Sequence, residues 1–168
     1  MRYARIDRNG GPAWARVEGD DLRLLAGSPI GAGAPETGER VSAAGARRLA
    51  PCEPGKIVCL GMNYASHARE IGLPIPSDPA MFMKPVSALC GDGDAIVLPA
   101  RSERVEHEAE LAFVIGRRAH RVSPETALEH VFGYTCANDV TARDIQMMGG
   151  TYLNVVWSKA YETFCPVG

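Results

Sequence analysis

The sequence predicts a β-rich α+β fold. Short extended segments recur along the whole chain, the helical segments are few and short, and the two kinds of segment do not alternate regularly. A doubly wound parallel sheet requires regular alternation, so a mixed β architecture is expected instead. Apolar residues make up 46% of the 168 residues and charged residues 23%, which is typical of a globular chain that buries a sizeable core.

Residues 1–54 are interpreted as a small β-rich N-terminal domain followed by a connector. The segments "YARI", "AWARVEG" and "LRLL" are short and extended, and "RNGGP" and "GDD" separate them. Asn9-Gly10 is a strong hairpin signal, because both residue types tolerate positive φ. Gly, Ala, Pro and Ser dominate from Ala26 to Pro54, which predicts a loop-rich connector with a short helix at "VSAAGARRLA".

Residues 55–168 are interpreted as a second unit. It begins with "KIVCLG", a buried strand by its continuous apolar run, and with the helix "NYASHAREIG", which ends at Gly72. A further helix, "SPETALEHVFG", has Ser123 as N-cap and Pro124 at its first position, and it ends before Gly133. "TARDIQ" opens another helical turn. Other strands are predicted at "AMFMKP", "AIVLP", "VEHEAELAFVIG" and "GYTCAND".

Composition excludes several functional classes. The net charge is -2 and the pI about 6.1, whereas nucleic-acid binders usually carry a basic surplus. The N-terminus has no apolar signal-peptide core, and the longest apolar runs fall far short of the roughly 20 residues that span a bilayer. Five cysteines form no CxxC pair, which favours free, buried thiols in a reducing compartment. We therefore expect a cytoplasmic protein without nucleic-acid or membrane partners.

Paired glutamates in "HEAEL" are the first candidate site. On a strand, Glu108 and Glu110 project from the same face, where like charges repel unless a divalent cation binds between them. The alternative is a strand with one solvated face. However, "LAFVIG" follows without polar alternation, which predicts a strand with both faces covered and the glutamates at the rim of a core. Glu106 lies further out, and we expect it to be solvated and not a ligand.

Polar side chains in "NDVTARDIQ" form the second candidate site. Asp139 follows a predicted strand and could supply a third oxygen ligand, or it could serve an Asx-turn or helix cap. Arg143 and Gln146 lie three apart and so share one helical face. They could bind a substrate carboxylate or have only surface or ion-pair roles.

The third candidate site lies in "GMNYASHARE". His67 and Glu70 have i, i+3 spacing, and a carboxylate beside an imidazole orients it and keeps it basic, as a general base requires. The alternative is a surface ion pair, although the position directly after a strand and Gly61 favours a site. Lys159 follows the apolar stretch in "VVWSKAYETF" and could equally be a strand lysine that extends its head to solvent.

Five segments in this order resemble the fumarylacetoacetate hydrolase family: "KIVCLGMNYASHAREIG", "FMKPVSALCGDGDAIVLP", "VEHEAELAFVIGRRA", "GYTCANDVTARDIQ" and "WSKAYETFCPVG". The resemblance runs from Lys56 to the last residue. "GPAWARVEGDDLRLL" also resembles the small domain of many bacterial members, among them 2-hydroxyhepta-2,4-diene-1,7-dioate isomerases and acylpyruvases. The resemblance implies a mixed β-roll of the family's C-terminal type, usually in homodimers.

The resemblance also implies roles for particular residues. One Mg²⁺ or Mn²⁺ would be held by the three carboxylates of Glu108, Glu110 and Asp139. The His67–Glu70 pair would act as base, Lys159 would line the site, and the bound acid would lie near Arg143 and Gln146. The implied substrates are 2-oxo acids, 1,3-dicarbonyl acids or their enols, from the catabolism of aromatic compounds and amino acids. The implied reactions are C–C hydrolysis, decarboxylation and isomerisation.

Two departures from the family pattern affect these expectations. Met62 stands where many members with short substrates carry an arginine, so a substrate carboxylate would lose that partner. The family domain also continues through further strands and a "GTP" loop, whereas this sequence ends on "CPVG". We therefore expect an incomplete β-roll that is unstable, inactive or partner-dependent. The alternative function is a truncated or split subunit with a binding or structural role. A Ca²⁺-binding β domain would leave His67, Glu70 and Lys159 unexplained.

Overall fold

The computed structural model describes residues 1–70, 72–150 and 154–168. Strands dominate these ranges, and the helices are short, which confirms the β-rich fold. In the described part of the chain, no helix has both the length and the apolar character needed to cross a bilayer. All five cysteines are free thiols, as expected, but only Cys90 and Cys165 are buried and Cys136 is exposed.

The N-terminal strands form one antiparallel sheet in the order β4-β3-β2-β1-β5. Asn9 and Gly10 join β1 to β2 with φ of 55° and 81°, so the predicted hairpin is confirmed. One face of the sheet buries Ile6, Ala15 and Leu22. The strands are β1 (Tyr3–Arg8), β2 (Gly11–Glu18), β3 (Asp21–Leu25), β4 (Glu36–Ser42) and β5 (Arg48–Leu49).

The helix predicted at "VSAAGARRLA" is wrong. Val41 and Ser42 end β4, and the chain then turns through Gly45, whose φ is 75°. Arg48 and Leu49 form β5, which pairs with β1. Ala and Arg favour helix locally, but the unpaired edge of β1 offers backbone hydrogen bonds that override this preference. The predicted connector thus contributes two strands to the sheet.

Strands of the second unit pair two by two within the described residues. β6 pairs with β7, β10 with β11, and β9 with β12, all antiparallel, whereas β8 and β13 are parallel. The strands are β6 (Ile57–Gly61), β7 (Ala80–Lys84), β8 (Leu89–Cys90), β9 (Val105–Glu106), β10 (Ala109–Ile115), β11 (Val131–Asn138), β12 (Thr141–Ala142) and β13 (Cys165–Pro166). The helices are α1 (Ala65–Glu70), α2 (Pro124–Ala127), α3 (Arg143–Gln146) and α4 (Val155–Lys159).

The predicted helices and strands of this unit are confirmed in part. Helix α1 lies within the predicted segment, and Gly72 follows with φ of 70°, while Ile71 lies outside the described residues. Helix α2 begins at Pro124 as predicted, but Ser123 makes no side-chain cap. Gly133 lies inside β11 rather than at a helix end, because pairing with β10 takes over from Val131. The segment "AIVLP" is not a strand.

The predicted burial of two strands is wrong. On β10, Leu111, Phe113 and Ile115 are each more than half exposed, whereas the alternate residues are partly buried. Val58 and Leu60 of β6 are similarly exposed. A continuous apolar run predicts cover on both faces, but the described residues cover one face only. The unit therefore presents apolar sheet surface to solvent.

The core of the second unit lies beneath the segment that joins β11 to α3. Val140, Ala142 and Ile145 pack there against Phe164, and all four side chains are almost fully buried. This packing fixes the backbone on both sides of Asp139 and Thr141. The polar side chains of the same segment are therefore presented from a rigid support.

Candidate active site

Glu108 and Asp139 lie side by side where two strands end. The segment "VEHEAELAFVIG", predicted as one strand, is interrupted at His107 and Glu108, which lie between β9 and β10, and β11 ends at Asn138. The Asp139 N–H donates to the Glu108 carbonyl at 2.9 Å, and the Glu108 N–H donates to the Asn138 side chain at 3.0 Å. These two hydrogen bonds place Glu108 and Asp139, two of the predicted metal ligands, next to each other.

Asp139 is buried between two lysines. Its Oδ1 accepts a hydrogen bond from Lys84 Nζ at 2.6 Å, and its Oδ2 accepts one from Lys159 Nζ at 2.7 Å. Lys84 is 1% exposed and Lys159 is 3% exposed. Buried charges are tolerated when they are paired and hydrogen-bonded. The Asp139 carboxylate therefore stabilises both ammonium groups, and they stabilise it.

Lys159 is the centre of the cluster. Besides Asp139, its ammonium donates to Glu108 Oε2 at 2.9 Å and to Thr141 Oγ1 at 2.7 Å. It lies at the end of α4 and is buried, so the alternative of a strand lysine reaching into solvent is wrong. The ammonium supplies positive charge where two carboxylates meet.

Glu108 also accepts a hydrogen bond from Arg143 Nη2 at 2.5 Å. Burial by itself would raise the pKa of the Glu108 carboxyl. The hydrogen bonds and charges of Lys159 and Arg143 outweigh this effect and hold the pKa below its ordinary value. Glu108 is therefore ionised at neutral pH.

Glu110 has a contrasting environment on the partly buried face of β10. Asn63 Nδ2 donates to its Oε2 at 3.0 Å, and among the described side chains no lysine or arginine forms an ion pair with it. Burial raises the pKa of this carboxyl, and the negative charges of Asp139 and Glu108 raise it further, against the hydrogen bond from Asn63. Glu110 is the uncompensated carboxylate of the cluster.

Arg143 and Gln146 share one face of α3, as predicted from their spacing. Arg143 Nη1 donates to Gln146 Oε1 at 2.5 Å, and Gln146 is buried. Arg143 Nε also donates to Glu106 Oε2 at 2.8 Å, and Arg104 Nε contacts the other oxygen of this carboxylate at 2.6 Å. Glu106, which was expected to be simply solvated, is thus ion-paired.

His67 and Glu70 form a pair but lie apart from the buried carboxylates. His67 Nδ1 and Glu70 Oε2 are 3.6 Å apart, and the two side chains are 50% and 79% exposed. No hydrogen bond or ion pair joins either residue to Glu108, Glu110 or Asp139 within the described residues. Their role as the base stays a prediction.

The loop before α1 connects the helix to the buried carboxylates. Asn63 bonds to Glu110, and the Tyr64 hydroxyl accepts the Leu111 N–H at 3.3 Å. Both residues belong to the quoted "GMNYASHARE" segment, but neither was predicted. These contacts anchor the start of α1 to β10, because Tyr64 directly precedes Ala65, the first residue of α1, and lies three residues before His67.

Lys84 is the main member of this buried cluster that the sequence analysis missed. Its partner Asp139 lies 55 residues further along the chain, so local spacing gives no indication of the pair. The available signal was a lysine at the end of the apolar strand "AMFMK", followed directly by Pro85. A lysine in such a context needs a buried acceptor or a route to solvent.

The donor set fits a hard divalent cation by its chemistry. Carboxylate oxygens are the ligands that Mg²⁺ and Mn²⁺ prefer, and the cluster brings the carboxylates of Glu108, Glu110 and Asp139 near one another. In residues 1–70, 72–150 and 154–168, no three His, Cys, Asp or Glu side chains form a ready-made metal cluster. The ammonium of Lys159 lies between Glu108 and Asp139 instead.

Two family models match this chain. Residues 56–168 match the family model described as fumarylacetoacetate (FAA) hydrolase C-terminal, and residues 1–51 match the model described as Rv2993c-like, N-terminal. The chain is 40% identical to Protein Rv2993c of Mycobacterium tuberculosis over 175 residues, which cover 100% of this chain and 64% of the relative.

Two further proteins carry names that describe an activity. The chain is 46% identical to the mitochondrial oxaloacetate tautomerase fahd2 of Xenopus laevis, over 71% of this chain and 38% of that protein. The crystal structure of 2-hydroxyhepta-2,4-diene-1,7-dioate isomerase from Mycobacterium marinum aligns with a TM-score of 0.85 and 39% identity, over 100% of this chain and 64% of that one.

The chain spans less than two thirds of the length of each of these proteins. The alignment nevertheless extends over the whole of this chain in the M. marinum structure, so the β-rich fold expected from the resemblance is confirmed. The family model covers all five segments on which the resemblance was based. The chain therefore belongs to the fumarylacetoacetate hydrolase family.

Proposed function

We propose that this chain is a metal-dependent hydrolase, lyase or isomerase for a 2-oxo or enol dicarboxylic acid, or for a 1,3-dicarbonyl acid, in the catabolism of aromatic compounds. The observation that carries the proposal is the convergence of Glu108 and Asp139 on Lys159, with Arg143 and Glu110 beside them. The names of the tautomerase and the isomerase support it, because both refer to dicarboxylic acids with a 2-oxo or enol group.

Glu108, Glu110 and Asp139 are the proposed ligands for Mg²⁺ or Mn²⁺. When bound, the ion would supply chelation of neighbouring substrate oxygens and Lewis-acid polarisation of the 2-oxo group. The M. marinum structure aligns over the whole of this chain, and so over the segments that carry these three carboxylates. Glu110 supports the assignment by its surroundings, because its carboxylate is half-buried and has no lysine or arginine ion pair among the described side chains.

The chain's own residues would bind and orient the substrate. Arg143 pairs with Glu106 and Glu108 in this structure, and it would pair with the carboxylate of a bound substrate. Lys159 would stabilise negative charge that develops on the substrate oxygen. His67, oriented by Glu70, would accept a proton from water or from a substrate carbon. Hydrolysis, decarboxylation and isomerisation all develop this negative charge, so the same residues serve each reaction.

Binding of oxalate tests the proposal without a choice of reaction. Oxalate offers two adjacent carboxylates in place of a 2-oxo acid, and we expect calorimetry to detect its binding to this chain only when Mg²⁺ or Mn²⁺ is present. Equal binding in the presence of a chelator would show that the carboxylate cluster does not recruit a cation. Absence of binding under both conditions would also contradict the proposal.

A second candidate function is that of a binding or structural subunit. The observation that favours it is the exposed apolar surface of β10, where Leu111, Phe113 and Ile115 face solvent. The proposed occupant of this surface is a second copy of the chain in a homodimer, since two-fold pairing would remove the exposed apolar faces of both copies from water. A stable dimer that lacks metal-dependent oxalate binding would favour this candidate over the enzyme.

Glu110 is expected to lower the stability of the metal-free chain. Burial raises the pKa of Glu110 in the folded state, so the folded state favours the protonated carboxyl. The chain is therefore most stable, with respect to this group, below the pKa of the unfolded state, and it loses stability as the pH rises through the pKa of the folded state. We therefore expect Glu110→Gln to increase the free energy of unfolding at pH 7 and to have little effect at pH 3. The gain should not exceed about 1 kcal/mol, because solvent screens a partly exposed charge.

Urea unfolding of the metal-free proteins at the two pH values measures this difference. Glu103→Gln is a matched control, because Glu103 is exposed and precedes Glu110 on the same segment. A loss of stability in Glu110→Gln at pH 7 would show that the hydrogen bond from Asn63 outweighs the charge repulsion.

A further inference from the structure

Lys84 is buried at a position where it contacts one carboxylate and one backbone carbonyl. The chain has three lysines, Lys56, Lys84 and Lys159, and Lys84 has the smallest exposure, at 1%. Its ammonium donates to Asp139 Oδ1 at 2.6 Å and to the Val140 carbonyl at 3.2 Å. An ammonium at this depth is stable only with such partners.

The backbone around Lys84 allows little adjustment. Lys84 is the last residue of β7, its Cα is paired with Ile57 of β6, and Pro85 follows it. The acceptor on the other side, Val140, is 2% exposed and packs in the core. The backbone is therefore fixed both at Lys84 and at Val140, and the Lys84 ammonium is held in hydrogen-bonding distance of Asp139 Oδ1.

The two oxygens of Asp139 consequently differ. Oδ1 is held by Lys84, which contacts no other member of the cluster among its described hydrogen bonds. Oδ2 contacts Lys159, which also contacts Glu108 and Thr141. Oδ2, which accepts a hydrogen bond from Lys159, is therefore the oxygen of Asp139 on the side of Glu108 and Thr141.

We propose that Lys84 is a positioning residue: by holding Oδ1 it fixes the orientation of the Asp139 carboxylate beside Glu108, where a divalent cation would be bound. Lys84 acts through Asp139 and does not touch the substrate. This inference rests on the proposed function, since it assigns Asp139 to the cation. It predicts that neutralising Lys84 weakens metal binding more than its effect on folding would explain.

The variant Lys84→Met tests the inference, with Lys56→Met as the matched control, because Lys56 is exposed. Free Mn²⁺ is measured by electron paramagnetic resonance during a titration of each chain, and the melting temperature is recorded with and without Mn²⁺. We expect Kd for Mn²⁺ to rise about 10- to 100-fold in Lys84→Met, as for other residues that orient a metal ligand. The metal-induced rise in melting temperature should shrink accordingly, and Lys56→Met should match the unmodified chain.

A purely structural role would give a different result. Lys84→Met would then lower the melting temperature equally with and without Mn²⁺ and would leave Kd unchanged, and the inference would be wrong. If the unmodified chain itself fails to bind Mn²⁺, the proposed function is wrong, and the inference falls with it. The two failures are thus distinguishable.

Lys84→Met could prevent folding, because it leaves a buried carboxylate without one of its cations. The double variant Lys84→Met, Asp139→Asn then decides the question. If Lys84 serves to hold the charge of Asp139, removing that charge should restore a cooperative melt. If the double variant remains unfolded, Lys84 supports the core independently of Asp139, and the inference is overturned.

Discussion

Replacing Glu108 by glutamine is expected to abolish metal-dependent turnover. The side chain keeps its size, but it loses the negative charge that meets Lys159 and Arg143, and a neutral amide replaces the carboxylate proposed to bind the cation. We expect kcat/KM to fall at least about 1000-fold, which corresponds to roughly 4 kcal/mol in the barrier. Glu108→Ala should lose as much activity, because the loss comes from the carboxylate and not from packing.

Initial rates with oxaloacetate, acylpyruvates and dienol diacids measure this effect in the presence of Mg²⁺. Glu103→Gln again serves as the control, since it removes an exposed carboxylate from the same segment. Turnover by Glu108→Gln at the rate of the control would exclude Glu108 as a ligand. Inertness of the unmodified protein toward all three substrate classes would count against the enzyme proposal as a whole.

The sequence allowed most of the carboxylate cluster to be predicted, because strand parity and helical spacing are local properties. The period of two identified Glu108 and Glu110, and the i, i+3 spacing identified Arg143 and Gln146, which bond to each other. The environment of each glutamate could not be predicted in this way. Glu108 is ion-paired and Glu110 is not, and this difference depends on α3 and α4, which follow later in the chain.

The failures of prediction share one physical cause, which is that local sequence does not specify a distant partner. "VSAAGARRLA" became strand because β1 offered a free edge. "LAFVIG" predicted cover on both faces, yet the described residues cover one. Lys84 resembled an ordinary lysine at a strand end until its contact with Asp139 was visible. In each case a contact distant in sequence, or its absence from the described residues, decided the outcome.

Replacing Lys159 by methionine should have the largest effect on stability. The ammonium is buried and donates to Asp139, Glu108 and Thr141, so its removal leaves two neighbouring carboxylates without their shared cation. Breaking a buried ion pair from one side costs about 3–5 kcal/mol, which is a large part of the stability of a typical domain. We therefore expect Lys159→Met to unfold at much lower urea concentration than Lys56→Met at pH 7.

The pH dependence of this loss separates its electrostatic origin from a packing defect. Burial alone would raise the pKa of Glu108, but Lys159 is the largest of the contributions that lower it, and the pKa in the folded state is below its ordinary value. The stability from this pair is therefore present above the pKa of the unfolded state and is lost as the pH falls through the pKa of the folded state. The difference between Lys159→Met and Lys56→Met should therefore narrow on acidification. The double variant Lys159→Met, Glu108→Gln should recover stability at pH 7, because a neutral amide tolerates burial better than an unpaired carboxylate. If the stability difference between Lys159→Met and Lys56→Met did not change with pH, and the double variant recovered no stability, Lys159 would act through packing. The charge of its ammonium would then not be what stabilises the cluster.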